Sequence, residues 1–227
     1  MPLVVHEIAP PSAAQLHLVI QGMRNSWESW EKSDSNITPT GRFSLGEADM
    51  GLCKRLLKAG SDHAKYLRQI PFVIDVSGPD YWWRQFDQYS AGVVPTDITT
   101  NSTSQMHTLG RERVTEEHID LQDVPYYERQ AYLELVEQAR LRWLEAGKRK
   151  GPNAKEWRGL LQLISTGWRY RRCVSMNYQS ARAMYHARQH HREWEWRQWC
   201  AAMEQLPLYE LIIWSPKQEE PSHATGN

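Results

Sequence analysis

The chain has 227 residues, and its 27 Lys and Arg are matched by 27 Asp and Glu. That length has room for one large domain or two small ones, and a net charge of zero gives no general pull toward nucleic acid or a membrane surface. Cys53, Cys173 and Cys200 are odd in number, far apart and without a CxxC pair, which argues against a disulfide framework and a cysteine zinc site. No apolar run reaches transmembrane length, and MPLVVHEIAP lacks the basic region and long apolar core of a signal peptide; a reduced, cytoplasmic protein is expected. Eleven Trp and ten Tyr against three Phe is the unusual feature. Core packing accounts for most of them, but Trp and Tyr join apolar area to a polar handle and favour interfaces and planar-ligand pockets.

In chain order, Val4 to Ile8 and Leu16 to Ile20 read as short strands separated by a Pro10-Pro11 turn. Trp27 and Trp30 share a helical turn that Ser, Asn, Pro and Gly soon end. Ser44 with Glu47 forms a capping-box pattern that predicts a helix from Leu45 to Ala59, with Leu45, Leu52, Leu56 and Leu57 buried and Gly60 as its C-terminal cap. Ile70 to Val76 is the best strand, interrupted by Gly78-Pro79, and DYWWRQFDQY (80–89) is a helical or extended aromatic segment. Val93 to Leu109 is a Ser/Thr/Asn-rich loop of a length that is usually functional or disordered. A helix is predicted from Thr115 to a break at Pro125, a second from Tyr126 to Glu145 ending at Gly147 in the basic KRKG turn, and an amphipathic segment from Asn153 to Ile164. Arg169 to Leu206 contains neither Gly nor Pro and reads as one long helix. Tyr209 to Trp214 is a final strand, and residues 215–227 have a disordered composition beyond a single domain spanning 1–214.

The long helix carries the chemistry. Helical spacing puts Asn177, Ala181, Met184, Arg188, His191 and Glu195 on one stripe with Arg197 beside it, a polar stripe in an otherwise aromatic helix. No phosphate-binding glycine loop, nucleophile elbow, HExxH or EF-hand pattern occurs. His186 and His190 are four apart, but Arg188 and Arg192 beside them repel a dication, so no metal is expected. Arg169, Arg171, Arg172, Arg182, Arg188, Arg192 and Arg197 read either as a solvated face or as an anion site. Guanidinium groups grip phosphate with two hydrogen bonds and stack on flat rings. Their interleaving with Trp and His favours a phosphate-bearing aromatic ligand, a nucleotide or a flavin; single-stranded nucleic acid uses the same chemistry, and composition leaves both open.

LLKAGSDH (56–63), IPFVIDVSGP (70–79), Arg84-Gln85 and the N-x-x-S spacing of Asn101 and Ser104 follow one another in a familiar order. They resemble the flavin-dependent thymidylate synthases, the ThyX family. That family has a helix ending in a Gly-His turn, a strand followed by Pro, an Arg-Gln pair, an RHR triplet and S-x-N-x-x-S-x-R. This chain departs from the pattern: Ser61 stands for the family's His, the triplet falls on Gln88, Tyr89 and Ser90, and the signature's last Arg is Met106. Those family arginines hold nucleotide and flavin. Further on, HAR (186–188) and EWEWR (193–197) resemble the family's N-L-R and Q-W-E-I-R, which sets Arg188 and Arg197 on the two family arginines. Trp82-Trp83, Asn101 to His107, Arg171-Arg172, Asn177-Tyr178, Arg188, His191 and Glu195-Trp196 are similar to a divergent branch often encoded by bacteriophages. A literal R-x-x-S-x-N-x-x-S-x-R at Arg172 to Arg182 comes too late in the chain to be the signature.

The resemblance implies an α+β fold, a small curved and mainly antiparallel sheet packed with long helices, assembled as a homo-oligomer. A tetramer with flavin and nucleotide at subunit interfaces is the family arrangement, and a dimer is the other option. It implies one-carbon transfer from methylenetetrahydrofolate to a uracil nucleotide such as dUMP, with reduced FAD, and NADPH as reductant. Arg197 is the expected catalytic residue, polarising a pyrimidine carbonyl. Gln85, Gln88, Asn101, Ser102, Ser104 and Arg172 are expected at the nucleotide. His63, Arg68, Tyr89, His107, Asn177, Arg188, His191 and Glu195 are expected at the flavin. The location expected is the cytoplasm, of a host cell if a phage encodes the chain. The missing arginines support an alternative from another class: a non-catalytic protein that binds a nucleotide or single-stranded nucleic acid.

Overall fold

The computed structural model describes residues 3–89 and 98–216. Its elements are β1 (Val4–Ala9), α1 (Ala13–Gly22), β2 (Asn36–Ile37), β3 (Phe43–Ser44), α2 (Glu47–Ala59), β4 (Pro71–Pro79), α3 (Asp80–Asp87), β5 (Thr99–Ser102), α4 (Gln105–Leu109), α5 (Tyr126–Glu145), α6 (Lys155–Leu163), β6 (Arg169–Asn177), α7 (Tyr178–Arg188), α8 (Trp194–Met203) and α9 (Glu210–Ile213). This is an α+β chain. Four strands form a sheet in the order β1-β4-β6-β5, and β2 pairs with β3 in a separate antiparallel hairpin. Alternation places the strands: Phe72, Ile74 and Val76 are buried along β4 while Val73 is exposed, and Val174 and Met176 alternate with exposed Cys173 and Ser175 along β6. Among the described residues no helix is long and apolar enough to cross a membrane.

The described chain divides into two compact units. The first holds residues 3–6, 75–89 and 100–173. Its core is Leu109, Val114, Ile119, Leu133, Val136, Ala139, Trp143, Leu160 and Trp168. The α5 members recur at three- and four-residue steps, as an amphipathic helix requires. On α3, Trp82, Trp83 and Phe86 are fully buried and stack edge to face or tilted at centroid distances of 4.6 to 5.3 Å. Gly78 does not stop β4: a Cβ there would meet Leu3 Cδ1 at 2.9 Å, so the glycine admits a close neighbour, and Pro79 then serves as the N-cap of α3. No helix starts at Thr115. Its backbone N–H donates to His118 Nδ1 at 3.1 Å, a local bond that competes with the helical one, and Ile119 then bridges to Trp168.

The second unit holds residues 7–74, 98–99 and 174–216. Leu16 to Ile20 is helical, not a strand. Ser12 and Gln15 form a true capping box, Ser12 Oγ accepting the Gln15 N–H and the Gln15 side chain accepting the Ser12 N–H. Ser44, in contrast, ends β3 and caps nothing. Helix α2 begins after Gly46, and its first donors reach Asp34, whose carboxylate accepts from Ala48 and Asp49 N–H. Gly60 closes α2 at φ +107°, as expected of a glycine cap.

The single helix expected over 169–206 is three elements. Residues 169–177 alternate in burial and lie in the sheet; Asn177 Oδ1 accepts the Ser180 N–H and starts α7; and the helix stops at Arg188. Continuing it would stack Arg188 against Arg192 four residues on, a like-charge pair that destabilises a helix. The chain breaks at 189–193 and restarts with Glu193 as N-cap. The six-residue stripe therefore does not exist: Asn177 is a cap, Ala181, Met184 and Arg188 lie on α7, and Glu195 is buried on α8. The predicted terminal strand is α9, where Arg182 donates to the carbonyls of Leu211, Ile212 and Trp214. Residues 217–227, most of the expected tail, lie outside the described residues.

Asp49 ties the second unit's N-terminal part together. It is fully buried, pairs with Arg24 at 2.6 Å, and accepts from Ser33 and Ser35 hydroxyls at 2.6 Å. Burial pushes its carboxyl up, but the hydrogen bonds from Ser33, Ser35 and Arg24 outweigh burial and hold it below the usual value of 3.8. A depressed carboxylate stabilises the fold above its unfolded pKa, and that contribution is lost as pH falls through the folded value. Asp49→Ala leaves Arg24 a buried, uncompensated charge and is expected to cost about 3 kcal/mol in urea unfolding, with a loss under about 1 kcal/mol contradicting the network's role.

Candidate functional site

In the second unit, a pocket of about 530 Å³ opens beside the end of α1 and the turn after α2. Its lining includes Asn25, Trp27, Asp62, His63, Tyr66 and Gln69. Trp27 is 63% exposed, so its indole face is available to a flat ligand. Tyr66 donates to the Cys53 carbonyl at 3.3 Å, and burial keeps its phenol protonated well above the ordinary tyrosine range. The predicted residue His63 is exposed on this rim, held by its N–H to the Gly60 carbonyl at 3.0 Å. Arg68 is half-buried in the 3-10 turn Lys65–Gln69.

The break between α7 and α8 brings four other predicted residues into one elbow. The Arg188 guanidinium lies 4.8 Å from the Trp196 ring centroid, and Arg197 lies 5.0 Å from that of Trp194. His191 sits between: its N–H donates to the Arg188 carbonyl at 2.9 Å, its Nδ1 accepts from Glu193 N–H at 3.3 Å, and its carbonyl accepts from Arg197 Nε at 3.4 Å. Its ring meets Trp196 edge-on at 6.4 Å. Glu195 is buried in the first turn of α8, where a carboxylate is favoured by the helix dipole. Asn177 is also buried, and its Oδ1 is engaged by the cap. Trp196 is fully buried while Trp194 is 64% exposed, so one arginine stacks on a fixed ring and the other on an open one.

In the first unit the predicted nucleotide residues fall on two short stretches. Gln85 is half-buried on α3, and exposed Gln88 and half-buried Tyr89 follow its last turn; Ser90, the third position of the altered triplet, lies outside the described residues. Asn101 and Ser102 are exposed on β5, Ser104 is the N-cap of α4, and His107 is exposed on α4. Thr103 anchors this stretch: its N–H donates to the Arg171 carbonyl at 3.0 Å and its hydroxyl accepts from Arg171 N–H at 3.2 Å. Arg171 in turn forks onto Asp75, and hydrogen bonding to that guanidinium holds the Asp75 carboxyl below its usual range.

Arg172 is half-buried, 4.4 Å from the Trp83 centroid and 5.8 Å from that of Tyr170, and it pairs with Asp87 at 2.7 Å. Its charge serves that packing. Its Nε is buried without a partner among the described residues. Sequence reading missed Trp27 and its pocket, although a pair of tryptophans in a polar segment was the available signal. It also missed Trp194 and Trp196 as stacking surfaces and the Arg171–Asp75 fork. Two substitutions separate binding positions from structural ones. His63→Ala is expected to change unfolding free energy by less than about 0.5 kcal/mol. Arg172→Ala is expected to cost about 1–2 kcal/mol by losing both rings and the ion pair. Urea titration of tryptophan fluorescence checks both, and equal losses would contradict the distinction.

No protein-family model matches the sequence, and no curated protein matches it. Solved structures do match the fold. One is thymidylate synthase X (ThyX) from Helicobacter pylori with FAD and dUMP, with a TM-score of 0.63 and 16% identity over 94% of this chain and 96% of that chain. Another is the flavin-dependent thymidylate synthase ThyX of the same organism complexed with FAD and dUMP, also at 0.63 and 16%, over 94% and 97% of the two chains. The likeness extends over nearly the whole of both proteins, and this chain has a ThyX-like fold.

Proposed function

We propose that the chain is a ThyX-like flavin- and nucleotide-binding protein that adds a one-carbon unit from methylenetetrahydrofolate to a uracil nucleotide such as dUMP. The observation that carries this reading is the elbow at 188–197. The segment whose sequence resembles the family's last motif stacks its two arginines on tryptophans and holds His191 between them. The ThyX fold supports it from a separate direction.

The chain's own groups fit a flavin. The pocket beside Trp27 lies within the about 300–1,000 Å³ of small-molecule sites, and joins an open indole face to the polar side chains of Asn25, His63 and Gln69. His63 and Arg68 are the proposed flavin contacts at that pocket, and Arg188, His191 and Glu195 those at the elbow; Asn177, which the resemblance also assigns to the flavin, is taken up by the cap of α7. A bound reduced flavin supplies hydride, so the chain needs no nucleophile of its own. Its residues bind and orient: Arg197 is the proposed donor to a pyrimidine carbonyl, and Gln85, Gln88, Asn101, Ser102 and Ser104 are the proposed nucleotide positions, whereas Arg172, which the resemblance also assigns there, is taken up by Trp83 and Asp87. The assembly in this reading is a homo-oligomer, as the resemblance implies.

The second reading, a non-catalytic nucleotide or single-strand binder, is favoured by Met106 at the signature arginine and by the engagement of Arg172 with Asp87. Arg197→Ala tests the first reading. Arg197 is exposed and carries no core packing, so the variant is expected to melt with the parent. It should lose dUMP affinity by about 10- to 100-fold, the worth of a hydrogen bond to a charged group. The parent should also oxidise NADPH in the presence of dUMP once loaded with FAD. Unchanged dUMP binding by the variant contradicts the assigned role, and tight, steeply salt-dependent binding of an oligonucleotide with no FAD uptake favours the second reading.

A further inference from the structure

One pocket of the first unit belongs to none of the assignments above except at its edge. It is an open concavity of about 440 Å³ lined by Met106 and His107 of α4, Arg111 just after it, Trp143 of α5, and Lys148 and Lys150 of the turn that follows α5. Three permanent cations line it and no carboxylate does, in a chain whose charges balance. Lysines on a surface turn are ordinarily a solvated face. Here the turn itself and two of the three cations are held in place. Trp143 is 1% exposed, and its indole N–H donates to the Arg149 carbonyl at 2.8 Å, which fastens the basic turn to the core. Lys148 adopts φ +55°, and its ammonium donates to the Gly110 carbonyl at 2.6 Å. Arg111 Nε donates to the His107 carbonyl at 3.3 Å. Among the described residues neither Arg111 nor Lys148 nor Lys150 has a carboxylate partner.

Like charges fixed in one concavity repel unless an anion joins them, and ordering them beforehand removes part of the entropy cost of binding. We propose that this pocket binds a phosphate group, that of the uracil nucleotide, through Arg111, Lys148 and Lys150. Met106 points to the same assignment: it lines the pocket and occupies the place where the resemblance expects a nucleotide-holding arginine. The charge missing at position 106 is supplied from the turn after α4 and the turn after α5. The naming of the ester rests on the function proposed above; the phosphate affinity of the pocket does not.

The test is calorimetric titration of the full chain with inorganic pyrophosphate, dUMP, deoxyuridine and a short oligothymidylate, in the parent and in the triple variant Arg111→Gln, Lys148→Gln, Lys150→Gln. Pyrophosphate and dUMP affinities are expected to fall at least about tenfold in the variant, the scale of losing charge-assisted hydrogen bonds. Deoxyuridine binding and FAD uptake should stay as in the parent. Pyrophosphate binding that depends on the three cations, in a parent that takes up no dUMP, upholds the phosphate site and refutes the nucleotide reading. Equal pyrophosphate affinity in parent and variant overturns the proposal, as does an oligothymidylate preference over dUMP that the variant loses. If circular dichroism shows the triple variant unfolded, Lys150→Glu alone, at an exposed position, is expected to give the same loss and its absence counts against the site.

Discussion

The point where β6 ends and α7 begins fixes the rest of the second unit's chemistry. Asn177 accepts the Ser180 N–H at 3.0 Å, the Tyr178 N–H donates to the Ile70 carbonyl at 3.1 Å, and the Tyr178 ring packs edge-on against Phe72 at 6.0 Å. One cap thereby turns a strand into a helix and ties the start of that helix to β4. From this junction α7 runs eleven residues and stops at Arg188, and the break leaves Arg188, His191 and Arg197 around a single elbow. Shifting the α7 register by one residue would rotate Arg188 about the helix axis by about 100°, the turn per residue of an α-helix.

Charge in each of the two units is of two kinds. Arg24 with Asp49, Arg140 with Glu137, and Arg172 with Asp87 are matched and packed, and they serve the fold. Burial raises the Tyr66, Tyr178 and Cys53 groups, Cys53 to about 12, and keeps them neutral. The cations that line open space are others: Arg197 over an exposed tryptophan, and the trio around Trp143. Net charge near zero therefore hides a sorting of arginines into structural and available ones, which composition cannot report.

Where the sequence was legible, local rules and tertiary packing agreed. Helix α5 from Tyr126 to Glu145, the glycine end of α2 and the β4 strand could all be read, because periodicity and caps there match the final burial. The reading failed where a distant partner decided. Asp34 caps α2 from another segment, which no local pattern at Ser44 reveals. Arg182 gathers the α9 carbonyls and makes a helix of YELIIW, a segment whose composition suits a strand. Residues 169–177 contain good helix formers, and only their place in the sheet makes them a strand. The Ser12–Gln15 box stands in the sequence but went unread beside the apolar run that follows it. For the site, the sequence marked Arg188, His191, Glu195 and Arg197 as one group, and the structure gathers them, though around a break instead of along a stripe. The pocket beside Trp27 was not legible as a cavity, because its walls come from segments about forty residues apart.

The central claim is that this chain binds a flavin and a uracil nucleotide. The most direct measurement is the visible absorption spectrum of FAD bound to the full chain, recorded as dUMP is added. The account predicts stoichiometric FAD and a saturable shift of the flavin bands with dUMP that deoxyuridine reproduces only at higher concentration. A chain that takes up no FAD, or bound FAD whose spectrum is indifferent to saturating dUMP, would contradict it.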